Sequence, residues 1–393
     1  MRPLSPQAPG APPQVTLFRD FVEDRRTSME IYADALADAL AQLPRPPVLR
    51  QVVPRAARLP WRGTPGAFEM RWSRYVRYPR AAAQQQGQLN HVIDHGYGHL
   101  LWTLDPRRTV VTVHDIIPAL RWAGKLAGTT RGSYPLLNKL SLAALRRAHT
   151  LVAISRNTAD DLVAHCGLDA ARIRVVPLGL SPRFCPADPR GRSALRDRFG
   201  LPQGGRLVLI SGDAFYKNHA TCLEVLRALH ADPTPGAAPV TLVRLGPRGA
   251  DWRQRLAASG LAAHVIALEH LPGADVPALY NAVDCLLFPS LYEGFGWPVL
   301  EAMACGVPVV CSNAGSLPEV AGDAALMAAP TDAAALAQAV RRCLDDAATR
   351  ATLIGRGHAQ AARFPWHRHA QSMLDIYEDI LGARSAVPVA ASA

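Results

Sequence analysis

The sequence predicts an α/β protein built from two doubly wound domains, each a parallel sheet with helices on both faces. Three observations predict it. The chain has 393 residues, too many for one typical domain and enough for two. Short β-branched runs alternate with longer helical stretches along its whole length. Most of those runs are apolar throughout, as expected of strands buried on both faces of a parallel sheet.

The opening "MRPLSPQAPGAPPQ", residues 1–14, is proline-rich and reads as a disordered tail. Strands are expected in the first half at "HVID" (91–94), "TVVTVHDI" (109–116), "TLVAIS" (150–155) and "IRVVPLG" (173–179). In the second half they fall at "RLVLISG" (206–212), "VTLVRLG" (240–246), "HVIALEH" (264–270), "CLLFPS" (285–290) and "VPVVCS" (307–312). Helical patterns between them cover 27–42, 134–147, 157–165, 219–230, 332–345 and 347–362. The stretch 180–205 is dense in proline, glycine and charge, and the domain boundary is placed within it. The domains are then 15–185 and 186–365, followed by a last helix at 366–382 that crosses back to the first domain and a tail at 383–393.

Hydrophobic residues make up 49% and charged ones 19%, which fits a soluble globular protein with large cores. No apolar run is long enough to cross a bilayer, and no charged-then-apolar leader opens the chain. Seven cysteines are scattered singly, without a Cys-x-x-Cys pair, so reduced thiols in a cytosolic protein fit better than structural zinc or a disulfide framework. Charge is uneven. Residues 1–190 carry 26 Lys and Arg against 14 Asp and Glu, whereas the remainder carries 17 against 18. The basic half points to an anionic partner: a membrane surface, a phosphorylated acceptor or nucleic acid. An arginine-rich solvated surface from compositional bias explains the same numbers.

The chemistry concentrates at "LYEGFGWPVLEAMACG" (291–306). After the strand "CLLFPS", the loop "LYEGFGW" lies at a strand's carboxyl end, where doubly wound domains bind ligands. Pro298 suits the first turn of a helix that continues as "PVLEAMAC". Gly294 and Gly296 permit a tight turn and close approach to a ligand. The amides of the helix start form an anion site, and Glu301 is expected in the first turn. Two carboxylates, Glu293 and Glu301, accept hydrogen bonds and suit a hydroxyl-rich ligand. Alone, Glu301 could simply complement its own helix dipole.

The two glutamates with GFGWPVL between them resemble the signature of retaining GT-B glycosyltransferases of the family 4 type. The resemblance extends over 16–382 and is tightest over 285–330. It implies two Rossmann-like domains facing across a cleft. It also implies that Glu301 binds the nucleotide ribose and Glu293 a donor-sugar hydroxyl near the reacting carbon. The amides around Phe295, Gly296 and Trp297 would meet sugar hydroxyls and phosphate, and Gly315, Pro318 and Glu319 would shape the wall. "ISGDAFYKNH" (210–219), with Gly212, Lys217 and Asn218, resembles the family's donor-diphosphate loop. Lys217 would stabilise the leaving group. Relatives carry an arginine a few residues earlier, where this chain reads Gly212-Asp213-Ala214-Phe215; Arg244 is a candidate replacement.

In the first half, "VVTVHDIIPAL" (110–120) resembles a family segment whose histidine reaches the donor sugar, so His114 is a site candidate with Asp115 orienting it. Asp94, His95, Tyr97 and His99 follow another strand and are read as acceptor-cleft lining; their spacing is weak for a metal site. Arg26, before a helix capped by Thr27 or Ser28, is assigned to the donor phosphate by the resemblance. "RWSRYVRYPR" (71–80) interleaves Arg71, Arg74, Arg77 and Arg80 with Trp72, Tyr75 and Tyr78, with Arg50, Arg55, Arg58, Arg62 and Trp61 upstream. This suits an anionic membrane or a lipid-linked acceptor; a helix packed by Trp72 and Tyr75 is the plain alternative.

The resemblance thus implies a hexosyltransferase using a nucleotide diphosphate sugar, GDP-mannose as first choice, on a growing bacterial surface glycan. It implies no cofactor, no metal and no nucleic-acid partner, and a cytoplasmic protein peripheral at the inner membrane. The rivals are a UDP-sugar donor (glucose or N-acetylglucosamine) on the same fold, and a non-catalytic membrane- or nucleic-acid-binding protein.

Overall fold

A computed structural model describes residues 12–57, 65–126, 136–247 and 249–385. Residues 1–11 and 386–393 of the expected tails, and Arg58, Trp61 and Arg62, lie outside these. The chain divides into two compact units. One holds the chain to Trp122, the stretch ending at Gly179 and the helix from Trp366; the other holds Leu180–Pro365 together with 123–126.

The first unit is a six-stranded sheet in the order β2-β1-β3-β4-β5-β6. Its strands are β1 (Gln14–Phe18), β2 (Val48–Val52), β3 (Leu89–Val92), β4 (Thr109–Val113), β5 (Thr150–Ala153) and β6 (Ile173–Val175). The second unit has the order β12-β11-β10-β7-β8-β9. Its strands are β7 (Arg206–Ser211), β8 (Val240–Leu245), β9 (Val265–Leu268), β10 (Cys285–Phe288), β11 (Val309–Ser312) and β12 (Ala325–Ala328). Every pairing is parallel.

The central strands were legible because both faces are covered: β3, β4, β5, β10 and β11 are buried at every position. Three strands escaped the sequence. β1 directly follows the proline-rich opening and takes Gln14 out of the expected tail. β2 and β12 are edge strands; β2 is mostly exposed with Arg50 and Gln51 inside it, and β12 reads Ala-Leu-Met-Ala, poor in β-branched residues. The helix Thr27–Ala41 opens without a side-chain cap, so neither Thr27 nor Ser28 caps it, but three others start at capping residues. Ser155 accepts from the Thr158 amide at 3.0 Å to open Arg156–Cys166, and Gly167 closes it at φ 61°. Asp332 and Asp346 do the same for Ala333–Asp345 and Ala347–Ala361.

The chain passes between units at Gly179/Leu180 and Pro365/Trp366, earlier than the expected boundary at 185/186. The Leu180 amide donates to the Phe364 carbonyl at 2.6 Å, and Phe184 packs edge-on against Tyr280, so 180–185 belongs with the second unit. Proline and charge mark the linker without marking the crossing residue. Gly179 has no room for a side chain, since a Cβ there would lie 2.4 Å from the Trp366 ring. The final helix, Trp366–Ser385, runs three residues beyond its expected end at 382. It is tied to the first sheet by Tyr377, whose hydroxyl lies 2.8 Å from His91 Nδ1.

Candidate active site

In each sheet the strand order reverses direction once, and doubly wound folds open a crevice at that point. In the second unit the reversal falls between β7 and β10, which pair directly. Lys217 follows β7 and Glu293 follows β10. Topology therefore brings together two residues 76 positions apart: Lys217 Nζ donates to Glu293 Oε1 at 2.7 Å. Both side chains are nearly buried, and the ammonium also lies 4.6 Å from the centre of the Phe288 ring. Gly212, at φ 92°, makes room for the lysine, because a Cβ there would come within 2.8 Å of Lys217 Cε.

Asn218 does not turn its side chain to a ligand. Its amide donates to the Pro289 carbonyl at 3.0 Å and the Pro330 carbonyl at 2.7 Å, while its oxygen accepts from Thr221 at 3.0 Å. It staples the β7 and β10 loops instead. Arg244, the candidate second cation, is fully buried and donates to the carbonyls of Gly246 at 2.7 Å and Pro247 at 2.8 Å. That guanidinium caps the ends of β7 and β8 and is not presented to a phosphate.

The loop carrying Glu293 is fixed from behind. Gly315 sits at φ 59°, and a Cβ on it would lie 2.7 Å from the Glu293 carbonyl oxygen and 2.8 Å from its nitrogen. The next residue, Ser316, donates its amide to the Glu293 carbonyl at 3.2 Å, with its hydroxyl 3.1 Å from that oxygen and 2.7 Å from the Phe295 carbonyl. The wall expected around Gly315 is thus a backbone brace. We expect Gly315→Ala to cost about 2 kcal/mol or more, from left-handed strain and the clash together. A urea melt checks this.

Gly296, at φ 111°, turns the chain into the helix Trp297–Ala304, with Pro298 in its first turn. The Phe295 ring is buried against Phe364, centroids 5.8 Å apart, so only its backbone is available to a ligand. Glu301 is the fifth residue of that helix, one residue further in than expected and past its first turn. It is half-buried, and its Oε2 accepts from the Tyr280 hydroxyl at 2.9 Å. Burial pushes its carboxyl up to about 7, against the pull of Tyr280, Arg183 and Lys217.

In the first unit the order reverses between β1 and β3. Asp94, just past β3, is buried and accepts from Arg26 and from the Gly96 amide at 3.0 Å, with His95 Nδ1 beside it at 3.0 Å as a charge partner without a hydrogen bond. Burial works against its ionisation, but His95 and Arg26 hold it well below the usual carboxylate range. Arg26 is therefore held by Asp94. Asp20, after β1, is buried with neither oxygen accepting a hydrogen bond among the described residues, and Arg26 Nη1 lies 3.8 Å away. Burial and the neighbouring Asp94 push its carboxyl well above the usual carboxylate range.

His114 Nε2 donates to the Ile93 carbonyl at 2.9 Å, and burial lowers its pKa, so the ring is neutral with Nδ1 as an acceptor. Asp115 does not orient it; its carboxylate accepts from the Ile117 amide at 2.9 Å and caps the next turn. Tyr97 is buried, its hydroxyl shared among Asp24, Arg74 and the Phe21 amide. Arg74 pairs with Asp24 and stacks on Tyr97, so it points into the fold and not toward a membrane. Arg71 is exposed, as is Trp72 at 45%. His99 bonds Ser141 and the Arg74 carbonyl. Among the described residues no cluster of His, Cys, Asp or Glu could hold a metal, and no helix is long and apolar enough to cross a membrane.

Tyr280, Ser316 and Asp20 were not singled out from the sequence. A tyrosine inside the apolar helix Val276–Ala282 signals a buried hydroxyl that needs a partner, but not which partner.

Two six-stranded parallel sheets, with an acid–lysine pair at the reversal point of the second, define a GT-B glycosyltransferase. The chain belongs to the glycosyltransferases of group 1, matching that family over 205–346 and "Glycosyltransferase Family 4" over 27–184. It is 32% identical over 277 residues to the O-antigen chain mannosyltransferase B of Escherichia coli, covering 69% of this chain and 70% of that protein. It is 33% identical to the 2-deoxystreptamine glucosyltransferase of Streptomyces kanamyceticus, covering 64% and 66%. Among solved structures, the sucrose-phosphate synthase of Thermosynechococcus elongatus superposes with a TM-score of 0.75 at 21% identity, over 94% of this chain and 100% of that one. HepE of Anabaena, in complex with UDP and glucose, gives 0.71 at 19%, over 93% and 100%. At such identities the superpositions speak for the fold alone.

Proposed function

We propose that this glycosyltransferase moves a hexose from a nucleotide diphosphate sugar, GDP-mannose as first choice, to a growing lipid-linked glycan of a bacterial surface, with retention at the anomeric carbon. The observation that carries the reading is the Lys217–Glu293 pair at the β7/β10 reversal, 2.7 Å across. In this reading Glu301 takes the ribose hydroxyls and the helix start at Gly296 takes phosphate. Lys217 faces the diphosphate and Glu293 a donor-sugar hydroxyl. The bond from the anomeric carbon to the diphosphate oxygen breaks, and the leaving group carries away the electron pair. The acceptor oxygen bonds to that carbon on the same face, and its proton passes to the departing phosphate. Lys217 stabilises the charge that develops there, with no divalent metal assigned a part.

In the first unit, His114 offers Nδ1 to a sugar hydroxyl. Asp94, His95 and Tyr97 support the acceptor side, and the exposed Arg71 remains available to an anionic headgroup. The mannosyltransferase of Escherichia coli supports mannose. A UDP-sugar is the second reading, favoured by the glucosyltransferase relative and by HepE, solved with UDP and glucose. A transfer assay offering GDP-mannose and UDP-glucose in parallel, with EDTA present, decides between them. Release of GDP is the expected result; UDP release alone favours the second reading, and loss of turnover in EDTA overturns the metal-free assignment.

A further inference from the structure

We propose that Tyr280 is a positioning residue for the donor site, holding Glu301 by one carboxylate oxygen and leaving the other to accept from the vicinal hydroxyls of a nucleoside. This rests on the reading of Glu301 as the ribose carboxylate.

The geometry is specific. Tyr280 is 1% exposed, on the helix Val276–Ala282. Its ring is wedged edge-on against Phe184 with centroids 5.9 Å apart, so the hydroxyl has one direction to point. It donates to Glu301 Oε2 at 2.9 Å. Among the described residues no hydrogen bond reaches Oε1. A carboxylate on a helix has rotamer freedom, and an isolated one would sample several positions. Tied by Oε2 to a buried phenol, it presents Oε1 in one place before the nucleotide arrives, which lowers the entropy lost on binding.

The same bond bears on the charge of Glu301. A phenol donating to a carboxylate favours the ionised form, and that is the form able to accept from two hydroxyls. The other groups facing Glu301 are Arg183 from the linker and Lys217 from the loop after β7, both of which lower its pKa, and Cys305 at the end of its own helix. Burial pushes the Cys305 thiol up to about 12, so it is uncharged across the working range. Burial outweighs the rest for Glu301, leaving it at about 7. Removing the phenol moves that value further up. The ionised form then exists only at higher pH, and binding is lost earlier as the solution is acidified.

The test compares wild type and Tyr280→Phe by calorimetric titration of GDP and UDP between pH 6 and pH 9, bounds chosen to bracket a carboxyl at about 7. Phenylalanine keeps the packing on Phe184. The expected result is affinity weakened about fivefold at neutral pH, the value of one hydrogen bond, and only partly restored at the alkaline end, where Glu301 is ionised again but no longer held. The midpoint of the pH dependence moves upward. Glu301→Gln should bind weakly and keep only the pH dependence that the nucleotide's own terminal phosphate contributes. Equal affinity of Tyr280→Phe and wild type at every pH overturns the proposal, and so does a loss that is the same at every pH, which would mark a packing role. If wild type binds neither nucleotide, the donor-site reading itself fails and the positioning role with it.

Discussion

Glu293→Gln is expected to lower the rate of transfer on the order of a hundredfold or more, about 2.7 kcal/mol of transition-state stabilisation. In the proposed reading, the neutral amide keeps the shape of the side chain but loses the negative charge that faces the donor sugar. The fold must be separated from the chemistry, because Glu293 is also the counter-ion of a nearly buried lysine. Breaking one half of a buried pair costs about 3–5 kcal/mol, whereas replacing both halves costs much less. Glu293→Gln combined with Lys217→Met should therefore melt closer to wild type than either single variant while remaining inactive. Urea melts of all four proteins beside the transfer assay check this. A single Glu293→Gln variant with wild-type turnover contradicts the role.

Lys217→Met is expected to cost about 10²–10³ in kcat, the range for removing one preorganised donor to developing charge. The loss should appear in kcat and kcat/KM together, since the full negative charge on the leaving diphosphate exists only late in the reaction. A rise in KM alone would mean that Lys217 merely helps the donor to bind. Asn218→Ala should behave differently and lose stability first, because its amide joins the 289 and 330 backbones.

What the sequence disclosed follows from the range of each interaction. The central strands β4 and β10 announce themselves by unbroken apolar runs, because burial on both faces is a local demand on composition. The edge strands β2 and β12 face no such demand and were missed. Within the site, Glu293, Gly296, Pro298 and Glu301 lie within one loop and helix, so their spacing could be read directly. Their supports could not: Tyr280 reaches Glu301 across 21 positions and Ser316 reaches Glu293 across 23. Asp115 shows the opposite error. The carboxylate adjacent to His114 reads as its partner, but an aspartate ahead of a helical turn satisfies the backbone amide two residues on. Arg74 reads as membrane-facing and Tyr97 as cleft lining, yet Asp24, 50 and 73 residues away, draws both inward.

The most direct test of the donor site is thermal denaturation of wild type and Glu301→Ala with GDP or UDP at a hundredfold excess over Kd. Wild type should gain about 2.7 kcal/mol of stability at that saturation. At the same concentrations Glu301→Ala should gain little or nothing, while keeping its fold without nucleotide. A wild type unmoved by either nucleotide, or a Glu301→Ala variant stabilised as much as wild type, would contradict the assignment of this loop and helix to the donor.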